Sequence, residues 1–375
     1  MLAAGIMSGT SLDGIDVALV DITGAAEETQ VALKFFATYP IDPALRAKIQ
    51  ANLANETSTV EALTSLDFAL GEAFAAAVVQ ACRSFGIASR DLGFVASHGQ
   101  TLYHLPKPPA GEVASTLQLG NASVICERTQ TTVVANFRER DMAVGGQGAP
   151  IVPYSEYVLY RSTTSTRILQ NIGGIGNATV IPRNATLDRL TAFDTGPGNM
   201  VIDELCRRFY HEEYDKNGAH AAAGHVNQAV LDALLAHPYF ARRPPKTTGR
   251  ELFGAQYVDE LLATHHLTPD DWIATATALT AQTIADAVRP FAIGPTELIV
   301  GGGGGYNPTL MAAIRAALPE ATVRTQEDLG QRADAKEAVA MVVLGNQTLH
   351  HLPSNVPSAT GASRPVILGS VTYYD

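Results

Sequence analysis

Cysteine is scarce in this sequence, and the three present, Cys82, Cys126 and Cys206, are odd in number, far apart and without CxxC spacing. That argues against a disulfide framework and offers no zinc site, leaving three reduced thiols expected in the core. Basic residues are few as well. Lys and Arg total 26 against 37 acidic side chains, a formal charge of −11, so no basic stripe can follow a nucleic-acid backbone. Long apolar runs are missing: no segment reaches 18 uncharged apolar residues, and no basic flank precedes an apolar stretch at the N-terminus. A soluble, cytosolic protein with neither nucleic acid nor membrane as partner is expected. Low-complexity tracts are also absent. With 46% hydrophobic and 17% charged residues over 375 positions, the chain can fill two cores, which argues against disorder.

What is present is an α/β pattern that occurs twice. Residues 2–7 and 15–22 are short Ile/Val/Leu-rich runs on either side of "SGTSLDG", and they read as two strands joined by a turn, with a third strand at 31–39. From Pro43 to Phe85 apolar residues recur three and four apart in Ala-rich stretches, above all in "TSLDFALGEAFAAAVVQACRSFG", an amphipathic helix with a glycine stop. "FVASHGQT" then reads as a buried strand with a polar end. In the second half, "TRILQNIGGIGNATVI" is again strand, glycine turn, strand. "AFDTGPGNMVIDELCRRF" reads as a strand ending at Asp194, a glycine loop and a helix, and "TELIVGGGGGYNPTLMAAIRAAL" as strand, glycines and a helix begun by Asn307 and Pro308. Two such hairpins about 160 residues apart suggest a duplicated two-lobe architecture. "KPPAGE" and "RRPPKTTGR" read as loops, the latter as the border of a lid, and residues 351–365 as a connector to a last strand-like segment.

Glycine in a turn admits close approach of a ligand to the main chain, and successive N–H groups can then converge on phosphate oxygens. Gly9, Thr10, Ser11 and Gly14 would supply such donors, while Asp13 and Asp16 either hold a hydrated metal or cap the turn. A single hairpin of this kind is explained as well by a tight turn; three glycine clusters at strand ends, at 9–14, 173–176 and 301–305, point toward a nucleotide. A P-loop is excluded because neither of the first two clusters has the lysine or the helix that GxxxxGK[ST] needs. A dinucleotide fold fits "ELIVGGGGGYNPTLMAAI", with Glu327 at a ribose-binding distance, but too little chain follows it.

Asp194 precedes "TGPGN" at a place where α/β folds put ligands, and it reads either as a general base or as the cap of an Asx-turn. His98, Gln100, Arg138 and Asp141 stand beside glycines in "ASHGQT" and "NFRERDMAVGGQGAPIVP"; such polar groups suit a sugar, although His98 reads equally as a satisfied core histidine. Glu337 lies on a predicted helix, where a solvated carboxylate is the plain alternative to a function. The net negative charge does not oppose an anionic ligand. Distant charges are screened beyond about 8 Å, whereas a unit pair at 4 Å is worth roughly 4 kcal/mol at a protein-like dielectric.

Seven motifs, "GIMSGTSLDGID", "SHGQT", "FRERDMAVGGQGAPIVP", "NIGGIGNAT", "FDTGPGN", "GGGGGYNPTLM" and "SNVPSATGA", occur in one order from residue 5 to about 362, and together they resemble the anhydro-N-acetylmuramic acid kinases. The resemblance implies two ribonuclease-H-like lobes of the actin, hexokinase and heat-shock ATPase type, with ATP in the cleft and lobe closure as a gate. The lobes are expected at 1–135, with 355–375 packing there, and at 136–354. Gly9, Thr10, Ser11, Leu12, Asp13, Gly14, Ile15 and Asp16 would form the first phosphate hairpin, and Gly173, Gly174, Gly176 and Asn177 the second. Gly301, Gly302, Gly303, Gly304 and Gly305 with Asn307 would lie on the adenosine side. Asp194 would be the catalytic base, His98, Gln100, Arg138 and Asp194 would bind the sugar, and Asp194 and Glu337 would face Mg2+. The implied reaction is ATP-dependent hydrolytic opening of 1,6-anhydro-N-acetylmuramic acid with phosphorylation of O6, in cytosolic peptidoglycan recycling, by a homodimer. Two alternatives stand beside it, a levoglucosan kinase and a catalytically silent nucleotide-binding regulator. The sequence departs from the pattern at Met7 and Ser8, where the superfamily often carries an aspartate, so Asp13 or Asp16 would take the metal-facing task; Ala359 stands where a valine is usual.

Overall fold

The computed structural model describes residues 1–244, 246–330 and 332–375, and the chain divides into two units, Met1–Leu159 with Asp334–Asp375, and Tyr160–Ala333. In the first unit the strands are β1 (Leu2–Ser8), β2 (Ile15–Thr23), β3 (Gln30–Tyr39), β4 (Val95–Leu105), β5 (Ser115–Leu119) and β6 (Val133–Ala135). In the second they are β7 (Thr166–Ile172), β8 (Ile175–Ile181), β9 (Thr191–Pro197), β10 (Thr296–Gly301) and β11 (Thr322–Thr325); β12 (Ser370–Thr372) returns to the first.

The two sheets share one topology. In the first, β3-β2-β1-β4-β6 are neighbours in that order, β1 to β3 antiparallel in sequence and β1, β4 and β6 parallel, with β12 added at the β6 edge and β5 paired to β4. The second sheet repeats the order as β9-β8-β7-β10-β11, again with an antiparallel meander followed by two parallel strands. This is the duplicated ribonuclease-H-like arrangement expected from the two glycine hairpins, and each hairpin joins the first two strands of its sheet. The central strands β1 and β7 are buried along most of their length, as strands covered on both faces must be, which is why they read as continuous apolar runs rather than alternating ones.

The helix expected to end at a glycine spans Val60–Phe85. Thr59 Oγ1 caps its start by accepting from the Ala62 N–H at 3.1 Å, and Gly86 closes it at φ 90°. Leu66, Leu70, Phe74, Val78 and Ala81 form its buried stripe against the first sheet. It is also the only helix among the described residues that is long and apolar enough to cross a membrane. All three cysteines are buried free thiols, as expected.

The unit boundaries fall at 159/160 and 333/334 rather than at 135/136 and 354/355. The segments 136–159 and 334–354 join the first unit for physical reasons that single motifs do not reveal. The helix Lys336–Leu349 lies so close to β1 that a Cβ on Gly5 would fall 1.9 Å from the Ala338 carbonyl oxygen, and a Cβ on Gly345 would meet the side chains of Phe94 and Ala96 at 2.8 and 3.1 Å. Glu156, 6% exposed, is ion-paired with Lys336 at the start of that helix. Asp141, 1% exposed, ties the 141–148 turn to the connector: its carboxylate accepts from Asn355 Nδ2 at 2.8 Å, Thr360 Oγ1 at 2.8 Å and the Gly148 N–H at 2.9 Å. Asp141 is thus an organiser of two loops, not a free polar group beside glycines.

Gly5 is therefore a position where any side chain overpacks a backbone contact. Gly5→Ala is expected to lower the unfolding free energy by about 2 kcal/mol, read as a lower denaturation midpoint with an unchanged slope.

Candidate functional site

In the first unit the expected site residues gather around the tip between β1 and β2. The ladder ends at Met7 and Asp16, and the Leu12 N–H closes a turn on the Gly9 carbonyl at 3.2 Å. Gly14 is demanded by packing, since a Cβ there would lie 2.4 Å from Thr38 Cγ2. Gly9 is not: its φ is ordinary and a Cβ would meet nothing nearer than Ser11 Oγ at 3.7 Å. The fold leaves that space open in front of the main chain. Thr10, Ser11 and Asp13 are exposed, Leu12 and Ile15 are buried, and Asp16 accepts from Thr38 Oγ1 at 2.6 Å. Burial, and the nearby carboxylates of Asp334 and Asp13, push the Asp16 carboxyl up, against the lowering effect of Thr38.

Gln100 and His98 are on β4, alongside β1, and act on other residues of the site. Ser8 Oγ donates to Gln100 Oε1 at 2.7 Å, and Gln100 Nε2 donates to the Gly9 carbonyl at 3.3 Å, so this buried amide holds the foot of the turn. His98 Nδ1–H donates to the Gly99 carbonyl at 2.8 Å, which leaves Nε2 as the lone-pair nitrogen, and that atom accepts from Arg138 Nε at 3.0 Å. Arg138 Nη1 donates to the Gly148 carbonyl at 2.7 Å. The guanidinium is thus oriented by two neutral acceptors, with donors left over; burial lowers its affinity for its proton and the charge of Glu337 opposes that. Glu337 itself is exposed on the first turn of the Lys336–Leu349 helix.

In the second unit the hairpin between β7 and β8 is the counterpart. The Gly173 and Gly174 carbonyls accept from the N–H groups of Asn199, Gly198 and Met200, at 2.8, 2.9 and 3.0 Å, which staples the tip to the start of the helix Met200–Tyr210. The Gly301–Gly305 segment packs against the same strand end: Gly302 adopts φ 81° close to Asn171 and Ile172, and a Cβ on Gly304 would strike Ile172 at 2.3 Å. Gly173, Gly303 and Gly305, by contrast, have ordinary φ, and a Cβ on any of them would meet nothing nearer than 3.7 Å. Asn307 Oδ1 caps the helix Pro308–Ala317 by accepting from the Leu310 N–H at 3.0 Å.

Asp194 is not at the end of its strand. β9 continues to Pro197, and a bulge shifts the register so that Gly196 opposes Gly176 while Asp194 opposes Asn177, with Thr195 as the extra residue. The register places Asn171, Asn177 and Asp194 side by side across β7, β8 and β9, a polar row next to the glycine tip. Asp194 is held on three sides. Its N–H donates to the Lys246 carbonyl at 3.0 Å, its carbonyl accepts from Tyr239 Oη at 2.8 Å, and Oδ2 accepts from the Thr248 N–H at 2.9 Å. These bonds come from outside the turn that follows, so the residue is more than an Asx-turn cap. Desolvation raises the Asp194 carboxyl, the Thr248 bond lowers it, Glu251 raises it and Lys246 lowers it. Sequence reasoning placed the "RRPPKTTGR" loop at the border of a lid but missed Tyr239, Lys246 and Thr248 as partners of Asp194, since nothing in their local pattern points back some fifty residues.

The site residues thus form two groups, one in each unit. No set of three or more His, Cys, Asp and Glu able to hold a metal occurs among the described residues. A magnesium ion carried on phosphates needs only one or two carboxylates, so Asp16, with Asp13 and Asp334 near it, fits such an ion without a protein cage.

Compared with known proteins, the chain matches the profile of the anhydro-N-acetylmuramic acid kinase family over residues 1–374. It is 48% identical over 379 residues to the anhydro-N-acetylmuramic acid kinase of Bacillus cereus strain Q1, covering 100% of this chain and 99% of that protein. The protein of that name from Bacillus cereus strain G9842 is 49% identical over 380 residues, and that from Bacillus thuringiensis subsp. konkukian strain 97-27 is 46% identical over 379, each with 100% of this chain and 99% of its own length covered.

Burial and the Arg138 charge push the His98 imidazole down from 6.5 to about 4. Between those values the unfolded chain takes up a proton that the folded one refuses, so this stabilising contribution is complete above pH 6.5 and is lost as the pH falls toward 4. The expected loss is roughly 3 kcal/mol. Denaturation of the parent and of His98→Gln at pH 7 and pH 4.5 reads it as a slope that the variant lacks.

Proposed function

Since the chain belongs to the anhydro-N-acetylmuramic acid kinase family, we propose that it opens 1,6-anhydro-N-acetylmuramic acid with water and transfers the γ-phosphoryl group of ATP to O6. The products are N-acetylmuramic acid 6-phosphate and ADP. The observation in the molecule that best supports this is the polar row Asn171, Asn177 and Asp194 beside a glycine tip, where the fold leaves the Cβ space of Gly173 open.

In this reading Asp194 is the general base. The Thr248 N–H occupies Oδ2, which leaves Oδ1 to take the proton of a water attacking C1. The C1–O6 bond breaks, its electron pair stays on O6, and O6 attacks the γ-phosphorus as the bond to the β-phosphate oxygen breaks. Desolvation suits Asp194 to the task, because a carboxylate with a raised pKa is a stronger base. The open main chain at Gly9, Gly173 and Gly303 receives phosphate oxygens without steric cost, and the remaining donors of Arg138, held in place by His98 and the Gly148 carbonyl, receive sugar oxygens. Gln100 acts one step back, by fixing the Gly9 turn. Asp16 is the carboxylate of the first hairpin best placed to hold Mg2+, with Glu337 and Asp194 as further candidates; when bound, the ion neutralises charge on the phosphates. Asn307 serves the adenosine side through the helix it caps. A homodimer, a cytoplasmic location and a place in peptidoglycan recycling complete the proposal, and these rest on family resemblance alone.

Asp194→Asn preserves shape and removes the proton acceptor. It is expected to lower kcat about 10³-fold while ATP still binds. The parent enzyme, incubated with magnesium, ATP and the anhydro sugar in oxygen-18 water, is expected to give a phosphosugar labelled at C1 by mass spectrometry. A near-normal rate for the variant, or unlabelled product, sinks the assignment of the base; faster turnover of 1,6-anhydroglucose transfers the substrate to the levoglucosan reading, and ATP binding without any phosphosugar supports the regulator.

A further inference from the structure

The loop that holds Asp194 carries two cations that no carboxylate among the described residues meets at ion-pairing distance. Lys246 is 7% exposed, and its ammonium sits 4.8 Å from the centre of the Tyr239 ring. The Arg242 guanidinium lies 5.7 Å from the centre of the same ring. Among the described residues neither cation makes an ion pair with a carboxylate, and the Lys246 ammonium makes no hydrogen bond. Tyr239 is itself fully buried, in an edge and face stack with Phe240 and Phe253. Burying an ammonium normally requires a compensating anion, and setting a second cation on the same ring raises that requirement. The carboxylate of Asp194, already bonded to the Thr248 N–H, acts on the Lys246 ammonium through space, but neither it nor Glu251 forms an ion pair with Lys246.

Resting on the kinase reading above, we propose that Lys246, assisted by Arg242, is the specificity-determining residue that receives the carboxylate of the lactyl ether on the anhydro sugar. The placement supports this: the Lys246 carbonyl accepts from the Asp194 N–H, so the ammonium belongs to a residue bonded directly to the expected base. The sugar is a neutral ring apart from one carboxylate, and 1,6-anhydro-N-acetylglucosamine is the same ring without it. A cation pair without an ion-paired carboxylate separates the two substrates by charge alone. The attraction is of the charge-assisted kind, and loss of one such contact is commonly worth 10- to 100-fold.

Lys246→Met retains the apolar stem over Tyr239 and removes the charge. In steady-state assays of the full chain, the parent is expected to prefer the lactyl-bearing sugar by at least 10-fold in kcat/KM, and the variant to bring the ratio of the two sugars toward one, through KM of the lactyl sugar and with KM for ATP unchanged. Arg242→Met, at an exposed position, is expected to shift the ratio the same way to a smaller extent, and Lys246→Arg to keep most of it. Equal losses on both sugars, a change confined to KM for ATP, or a parent with no preference would overturn the proposal while the kinase reading stands. A parent inert on both sugars would overturn the kinase reading as well.

Discussion

Each sheet faces the same constraint at the same place. Where the antiparallel pairing of its first two strands stops, main-chain groups lose their ladder partners and must be satisfied otherwise. In the first unit a side chain from the adjacent parallel strand, Gln100, takes the Gly9 carbonyl and is in turn fixed by Ser8. In the second, the N–H groups at the start of a helix take the Gly173 and Gly174 carbonyls. Carbonyls are consumed in both cases, and they are consumed beside glycines, Gly9 and Gly173, whose Cβ space packing leaves open. Open main chain beside a glycine is thus a by-product of how the ladder ends.

This explains what could be read in advance and what could not. The hairpins, the Val60–Phe85 helix and the helix begun by Asn307 and Pro308 were legible because strand runs, caps and glycine stops are local signals. The division into lobes was legible only in number. The Asp141 carboxylate reaches Asn355 and Thr360, more than 200 residues away in sequence, and the contact between Gly5 and Ala338 is as remote. Pattern along the chain carries no trace of such pairs, so 136–159 and 334–354 read as belonging with their sequence neighbours.

The candidate site shows the same division. Asp194 stood out by its motif, yet its setting depends on a bulge at Thr195 that adds a residue to β9 opposite Gly176, and a bulge leaves no periodicity to read. Without it, a one-residue change of register would turn Asp194 away from the face it shares with Asn171 and Asn177. His98 stood out as a polar residue beside a glycine, and both of its readings meet in the structure: it is a satisfied buried histidine, and what satisfies it is Arg138. Its contribution is to hold a cation in place while remaining neutral.

The distribution of partners among the sheltered cations resolves the apparent conflict between an acidic protein and an anionic ligand. Arg167 is paired with Glu297 and Lys336 with Glu156, as buried charges ordinarily are. Arg138, in the first unit, is held only by an imidazole nitrogen and a main-chain carbonyl, and Lys246, in the second, only by the face of a ring. Acidic residues are abundant in this chain, so the lack of an ion-paired carboxylate at these two positions among the described residues is not a shortage of supply. Neutral acceptors orient a cation without cancelling its charge, and that leaves its field available to a ligand. The net charge is therefore a poor guide to what this molecule binds; the better guide is where its sheltered cations, among the described residues, form no ion pair.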